Sequence, residues 1–174
     1  MTSILKVNSI QNSAGTAAIT IDSSGRVKPS ASGSVVAIRH YSNNTRASVT
    51  AGASGILWTF TDTKLYGAES SIIIHANLLG KANDSGNVAS YIEYGGTKSY
   101  SIGFTYEASI HAKVMSGTSK TTGKSAGSQT VSIGWDTANN QASQRPFQIF
   151  NPNSSDDSRI HQQVSAVIVY EVIE

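Results

Sequence analysis

The chain has 174 residues, a formal net charge of +2 and only 14% charged residues, where about 25% is usual. Its basic residues are scattered, which argues against a nucleic-acid-binding protein, and the absence of cysteine excludes disulfides and thiolate metal sites. The length suits one compact domain. With neither a signal-peptide pattern nor an apolar run of ~20 residues, we expect a protein that is soluble where it is made and does not insert into membranes.

The first predicted element is a thin strand-like segment, MTSILKVNSIQNSAGTAAITIDSSGRV. Apolar and polar residues alternate along it, but the apolar side chains are sparse, and Ile19 and Ile21 stand alone on one face of the second run. SSGR predicts a turn, and the residues from Pro29 onward predict a short linker. One copy cannot bury this segment alone, so we expect another copy or another protein to cover it.

After residue 30 the apolar residues recur with a period of two, and no helical period is sustained. Clusters of Gly, Ser, Asn and Asp separate the runs. The spacing favours an all-β, antiparallel, jelly-roll-like sandwich, or a barrel, over βαβ units. The predicted strands are Val35–Tyr41, Gly55–Phe60, Ser71–Leu78, Val88–Tyr94, Lys98–Phe104, Ser109–Met115, Thr130–Trp135, Phe147–Phe150 and Gln163–Ile173.

The strongest local prediction is a hairpin at Gly95-Gly96, because glycine tolerates the positive φ angles of type I′ and II′ turns. Pairing about this turn sets Glu93 opposite Lys98, and Tyr91 opposite Tyr100 on the same face. The face of the hairpin that meets the core stays open. Three polar stretches are expected to be surface loops, and any of them could carry a binding site: residues 117–129, 136–146 and 151–159.

The last predicted strand is apolar on both faces, so it should be covered once by its own core and once by something else. A neighbouring subunit is the expected second cover. One face carries Val164, Ala166, Ile168, Tyr170 and Val172. The other, assigned to the subunit interface, carries Val167, Val169 and Ile173.

Candidate catalytic residues form no motif. The four histidines lack metal-ligand spacing, the Gly-rich stretches lack the P-loop pattern and a following helix, and no G-x-S-x-G elbow occurs. We therefore expect no enzymatic activity, no metal and no cofactor. Trp58 and Trp135 lie in predicted strands and are expected in the core. A sugar-binding surface is a weaker hypothesis, since aromatic faces and planar amides suit polyhydroxyl ligands; its candidates are Tyr41, Tyr66, Tyr106, Asn139, Asn140, Gln141 and Gln144.

The N-terminal residues resemble a segment that recurs in tail-fibre and other virion-surface proteins of bacteriophages, especially those of marine hosts. The resemblance covers about 27 residues and follows the pattern L-K-V-[ND]-x-I-Q, a Gly-Thr pair, and [AL]-[IL]-T-I-D-S-S-G-R-[VI]. In this chain the matching residues are Leu5 to Asn8, Ile10-Gln11, Gly15-Thr16 and Ala18 to Val27. The remainder is similar in layout to the β-sandwich heads of such proteins.

This resemblance implies a homotrimeric virion protein of the tail-fibre or appendage type, assembled in the host cytoplasm. Residues 1–30 would attach to other virion proteins, of the tail or capsid, and pack in the trimer through Leu5, Val7, Ile10, Ile19 and Ile21. Residues 31–174 would form the head, which could contact a glycan or protein of the host surface. Two alternatives stay open: a capsid decoration protein, and a small depolymerase of surface polysaccharide.

Overall fold

The computed structural model describes residues 7–81, 88–102, 112–137, 145–156 and 161–174. All regular secondary structure within these ranges is β-strand, so this part of the chain holds no helix that could cross a membrane. The prediction of an all-β, antiparallel fold is confirmed. The strands are β1 Ser9–Gln11, β2 Ala17–Ile21, β3 Val27–Pro29, β4 Val35–Asn43, β5 Ala47–Ser48, β6 Ser54–Lys64, β7 Ser70–Lys81, β8 Val88–Tyr94, β9 Thr97–Ile102, β10 Ala112–Thr121, β11 Gly127–Thr137, β12 Ile149–Phe150 and β13 Ser165–Ile173.

The large sheet has a nested order. Its main path is β4-β13-β7-β10-β9-β8-β11-β6, with every neighbouring pair antiparallel. The short strand β12 pairs with β7, and β5 pairs with β12. The β8–β9 hairpin is innermost in the sequence, and around it β7 pairs with β10, β6 with β11 and β4 with β13. The chain is thus wound like one long hairpin folded back on itself.

The path folds into two layers that share one core. The first layer is β4, β13, β7 and β10, and the second is β9, β8, β11 and β6; one residue pair, Gly117 with Ile102, joins them along the path. Residues from both layers meet in a single buried cluster, which includes Ile74 and Val169 from the first and Trp58, Ile92 and Ile133 from the second. Burial of these apolar side chains is the main favourable contribution to stability.

The predicted turn and the predicted pair of Glu93 with Lys98 are present, but a β-bulge interrupts the register at Tyr91, so the regular pairing of Tyr91 with Tyr100 is not kept. Gly95 and Gly96 have φ angles of 54° and 82°. Two positive φ values are the signature of a type I′ turn, whose twist matches that of the flanking strands. Ile92 and Tyr94 belong to the buried core cluster and Tyr91, on the opposite face, does not, which identifies the core side that the sequence left open.

The predicted polar loop at residues 117–129 is wrong in extent. β10 continues to Thr121 and β11 begins at Gly127, so only the short stretch between them is a loop. The Ser and Thr residues here belong to strands because they pair along their length with apolar neighbours, such as Ser119 with Ile74 and Thr121 with Ile72. Tertiary pairing therefore overrides a composition typical of loops.

The N-terminal segment is a small antiparallel sheet of its own, in the order β1-β2-β3. The predicted turn is present: Gly25 has a φ of 77° and its amide donates to the Asp22 carbonyl oxygen. The sheet contacts the head through Tyr66, whose hydroxyl donates to the Val27 carbonyl oxygen at 2.6 Å. Its own head is therefore one of the partners that this segment packs against.

Candidate functional site

A buried polar cluster joins the open edges of the two layers. The side chain of Asp62, on β6, is fully buried and accepts hydrogen bonds from Arg39 of β4 at 2.5 and 2.9 Å. The hydroxyls of Tyr41 and Tyr94 donate to the same carboxylate at 2.6 and 2.7 Å. Because both oxygens are engaged, the cost of burying this charge is offset by four charge-assisted hydrogen bonds.

Glu171 of β13 forms the second half of the cluster. Its carboxylate accepts from the backbone amides of Leu65 and Tyr66 at 2.9 and 2.7 Å and from the Ser70 hydroxyl at 2.9 Å. The buried Lys64 ammonium lies 3.7 Å from this carboxylate and donates to the Tyr66 carbonyl oxygen at 2.6 Å. The two carboxylates are thus balanced by two cations, which is the condition for retaining charges in a core.

The pKa shifts follow from this geometry. Burial alone would raise the pKa of Asp62, but the hydrogen bonds from Arg39, Tyr41 and Tyr94 outweigh it and hold this pKa below its ordinary value. Burial, together with the bond to Asp62, raises the pKa of Tyr41 to about 12 and that of Tyr94 further still. Burial lowers the pKa of Lys64. Since each group is held by partners, the cluster acts as a structural clasp between β4, β6 and β13.

The sequence contains a signal for this clasp. Along β6 every second side chain from Trp58 faces inward, and Asp62 and Lys64 occupy two of these inward positions. A charged residue at an inward-facing strand position needs a buried partner. The identity of the partners depends on the approach of β4 and β13, which no local pattern predicts.

The predicted sugar-binding tyrosines are engaged elsewhere. Tyr41 packs on Phe60, with ring centroids 4.3 Å apart, and belongs to the clasp. Tyr66 is only 5% exposed; its ring lies under Arg26, and its hydroxyl binds the N-terminal sheet at Val27. The structure does not bring these two together into one exposed surface. The other candidates lie outside the described residues: Tyr106, Asn139, Asn140, Gln141 and Gln144.

The final strand exposes the face opposite to the one assigned to the interface. Val167 and Val169 have no exposed surface and Ile173 is 5% exposed, because all three point into the core of their own chain. A core-facing side chain cannot contact a neighbour, so the candidate interface moves to the other face, with Ile168 and Tyr170. The strand is apolar on both faces, as predicted. The face predicted to meet a neighbouring subunit is instead the core face.

The outward side of the first layer is called the first outer face here. Apolar side chains and side chains with hydroxyl groups predominate on it. Paired residues of its four strands form rows across it: Ile38, Tyr170, Ile73 and Lys120; His40, Ile168, His75 and Thr118; Ser42, Ala166, Asn77 and Ser116. Within these rows Lys120 alone is formally charged, at the edge, where it pairs with Glu174 at 2.8 Å. Ile38 is 65% exposed.

A shallow groove of about 410 Å³ crosses this face between β13 and β10. His75 stands at its centre, 2.6 Å from the Thr118 hydroxyl through Nδ1, with its ring edge-on to Tyr170. Of the other histidines, His40 and His161 are exposed and His111 lies outside the described residues. No three metal-ligating side chains cluster anywhere in the described ranges.

The N-terminal sheet has one apolar face. Ile10 pairs with Ile19 and Ile19 with Pro29, while Ile21 pairs with Val27, so these side chains share a side. Val27 and Ile10 are each 53% exposed and Val7 is 39% exposed. Ile19 and Ile21 are half-buried, and Leu5 lies outside the described residues. The head therefore covers this face only in part.

No protein-family model matches the sequence. No curated protein matches it either.

Proposed function

We propose that this protein is a non-enzymatic structural component of a bacteriophage virion, of the tail-fibre or appendage type. The observation that carries the proposal is the N-terminal sheet. The segment with the resemblance to virion-surface proteins folds as short strands whose apolar side chains Ile10 and Val27 remain more than half exposed. A sheet of this size is stable only when its apolar face is covered, and a second virion protein supplies that cover.

The head is proposed to be a jelly roll displayed outward from this attachment point. The nested pairing of β4 with β13, β6 with β11, and β7 with β10 around the β8–β9 hairpin supports that class. The buried clasp supports a structural role, because its carboxylates are occupied by hydrogen bonds rather than directed at a cleft.

The assembly is proposed to be a homotrimer built through the first outer face. That face carries exposed Ile38 together with Ile168 and Tyr170, and its rows are depleted of charge. Aromatic side chains and missing charge are the compositional marks of the centre of an interface. A cyclic trimer buries such a face on every subunit at once.

The location of the chain on the virion tests the proposal. We expect an antibody fragment against the head to label the tail or its appendages in electron micrographs of intact virions. Labelling of the capsomers would support the decoration-protein alternative instead. Absence from purified virions, or release of oligosaccharide from host polysaccharide by the purified protein, would overturn the proposal.

A further inference from the structure

An aromatic row crosses the outward side of the second layer. Gly134 of β11 pairs with Ile56 of β6 on one side and with Tyr91 of β8 on the other. Tyr91 in turn contacts Tyr100 of β9, with ring centroids 6.0 Å apart and planes at 75°. Ile56 and Tyr100 are 60% and 58% exposed, whereas Tyr91 is 4% exposed. The row is therefore a buried aromatic floor between two exposed apolar side chains.

The floor depends on the missing side chain of Gly134. A Cβ atom there would lie 2.6 Å from the Tyr91 hydroxyl and 2.3 Å from the Gly55 carbonyl oxygen. The absence of that atom lets the tyrosine lie across the backbone of β11. Glycine inside a strand often marks a close approach of this kind.

Two β-bulges flank the row. On one side Ile133 pairs with Trp58 but Gly134 pairs with Ile56, so β6 carries an extra residue. On the other, the pairing passes from Ser90–Ile102 to Ile92–Ser99, so β9 carries the extra residue, opposite Tyr91. Bulges re-aim side chains and are over-represented beside functional sites. Here the bulge of β9 lies opposite Tyr91, at the end of the row that carries Tyr100.

The exposed end of the row is held in one geometry. The Tyr100 hydroxyl donates to Asp136 at 2.6 Å, and the Lys98 ammonium donates to the same carboxylate oxygen at 3.2 Å. That ammonium also lies 4.0 Å from the centroid of the Tyr91 ring. Because these contacts already hold the exposed ring in place, a ligand that binds it would cost less side-chain conformational entropy.

We propose that this aromatic row binds an uncharged pyranose oligosaccharide of a bacterial surface polysaccharide, an inference that rests on the proposed virion function. The C–H face of a pyranose stacks on the electron-rich face of the Tyr100 ring, while Asp136 and Lys98 offer an acceptor and a donor to its hydroxyls. The electrostatic potential at this site is not positive, since its charged side chains are Glu93, Lys98 and Asp136. The site therefore suits an uncharged glycan rather than a nucleic acid.

The test is binding of the full-length protein to an array of purified capsular and O-antigen polysaccharides, both neutral and acidic. The bound polymer is then digested, and its oligosaccharides are titrated in solution, so that the number of copies per assembly does not affect the result. We expect a neutral polymer to bind. Tyr100→Ala should lower the affinity by about tenfold or more, the size of an aromatic stacking contact, and Tyr100→Phe, which keeps the ring, should lower it less.

Thr63→Ala is the control, because it truncates an exposed side chain of β6 outside the row and outside the first outer face, and it should leave oligosaccharide affinity unchanged. Three results would overturn the inference: no neutral polymer bound, binding that survives Tyr100→Ala, or an equal loss in Thr63→Ala. The virion-labelling experiment is read separately. A labelled virion with a blank array removes the glycan site and leaves the structural role standing.

Discussion

Arg39 of β4 and Asp62 of β6 form a two-pronged ion pair between the strands at opposite ends of the hydrogen-bonded order, with N–O distances of 2.5 and 2.9 Å. No backbone hydrogen bond joins these two edge strands along the described path. The two edge strands are therefore joined by side chains: by this ion pair, and by the apolar contact of Tyr41 with Phe60.

Breaking this pair should destabilise the head strongly. Asp62→Ala leaves the Arg39 guanidinium, which is only 18% exposed, without its main partner. We expect the free energy of unfolding to fall by about 3–5 kcal/mol, as for other broken buried pairs. Urea denaturation measures it. Asp136→Ala, at a surface pair, is the control and should cost about 1 kcal/mol or less; equal losses would contradict the clasp.

The same carboxylate should make stability depend on acid pH. The pKa of Asp62 in the folded chain lies below its ordinary value, which is about 3.9 in an unfolded chain. Its contribution is therefore complete above about pH 4 and is lost as the pH falls through the folded pKa. We expect the difference in unfolding free energy between the wild type and Asp62→Asn to shrink below about pH 4. A difference that is constant down to pH 2 would argue against this origin.

Alkaline pH should act through the tyrosines of the clasp. The pKa of Tyr41 is raised to about 12, from about 10 in an unfolded chain. The stability contributed by its neutral phenol is present below about pH 10 and is lost as the pH rises through about 12. Ultraviolet titration of the folded protein should show late phenolate formation, and Tyr41→Phe should remove signal from this late step. Loss of signal near pH 10 instead would contradict the placement of Tyr41 in the clasp.

The exposed side of the N-terminal sheet should be required for incorporation into virions. Ile10→Lys places a charge on the apolar face, where Ile10 is 53% exposed, so the head should still fold. We expect the amount of this variant in purified virions to fall by about tenfold, since one buried charge opposes docking. Gln11→Lys, at the neighbouring exposed polar residue, should incorporate normally. Normal incorporation of Ile10→Lys, or of a chain lacking residues 1–30, would remove the attachment role.

Assembly of copies should depend on the first outer face. Ile38→Lys should convert a trimer, with three times the chain mass of 18.3 kDa, into monomers at micromolar concentration. Ile56→Lys is the matched control, because Ile38 and Ile56 have similar exposure, 65% and 60%, on opposite layers. Light scattering coupled to size-exclusion chromatography measures both masses. A wild-type monomer, or a trimer that persists in Ile38→Lys, would refute this interface.

Local chemistry made some features predictable. The Gly95-Gly96 turn and the pairing of Glu93 with Lys98 could be derived because a two-residue turn determines the register of its own strands. The cation of that pair nevertheless bonds to Asp136, on β11. Backbone register is a local property, whereas the choice of a partner for a long side chain depends on every strand within its reach.

Distant contacts determined the features that the pattern missed. Tyr41 and Tyr66 are of the type that could contact a sugar, but one serves the clasp and the other supports the N-terminal sheet. Their roles depend on Asp62 and Val27, which stand 21 and 39 positions away. No window of neighbouring residues contains that information.

By itself, the sequence determined that the chain is all-β, where most strands run, and that β13 is apolar on both faces, because a period of two and turn chemistry are written in adjacent residues. Only the tertiary structure decided which face of β13 is the core, that polar residues 117–121 form strand, and that β4 and β6 meet at the clasp. Those choices depend on which strands lie side by side, and that arrangement is set by the burial of both layers together.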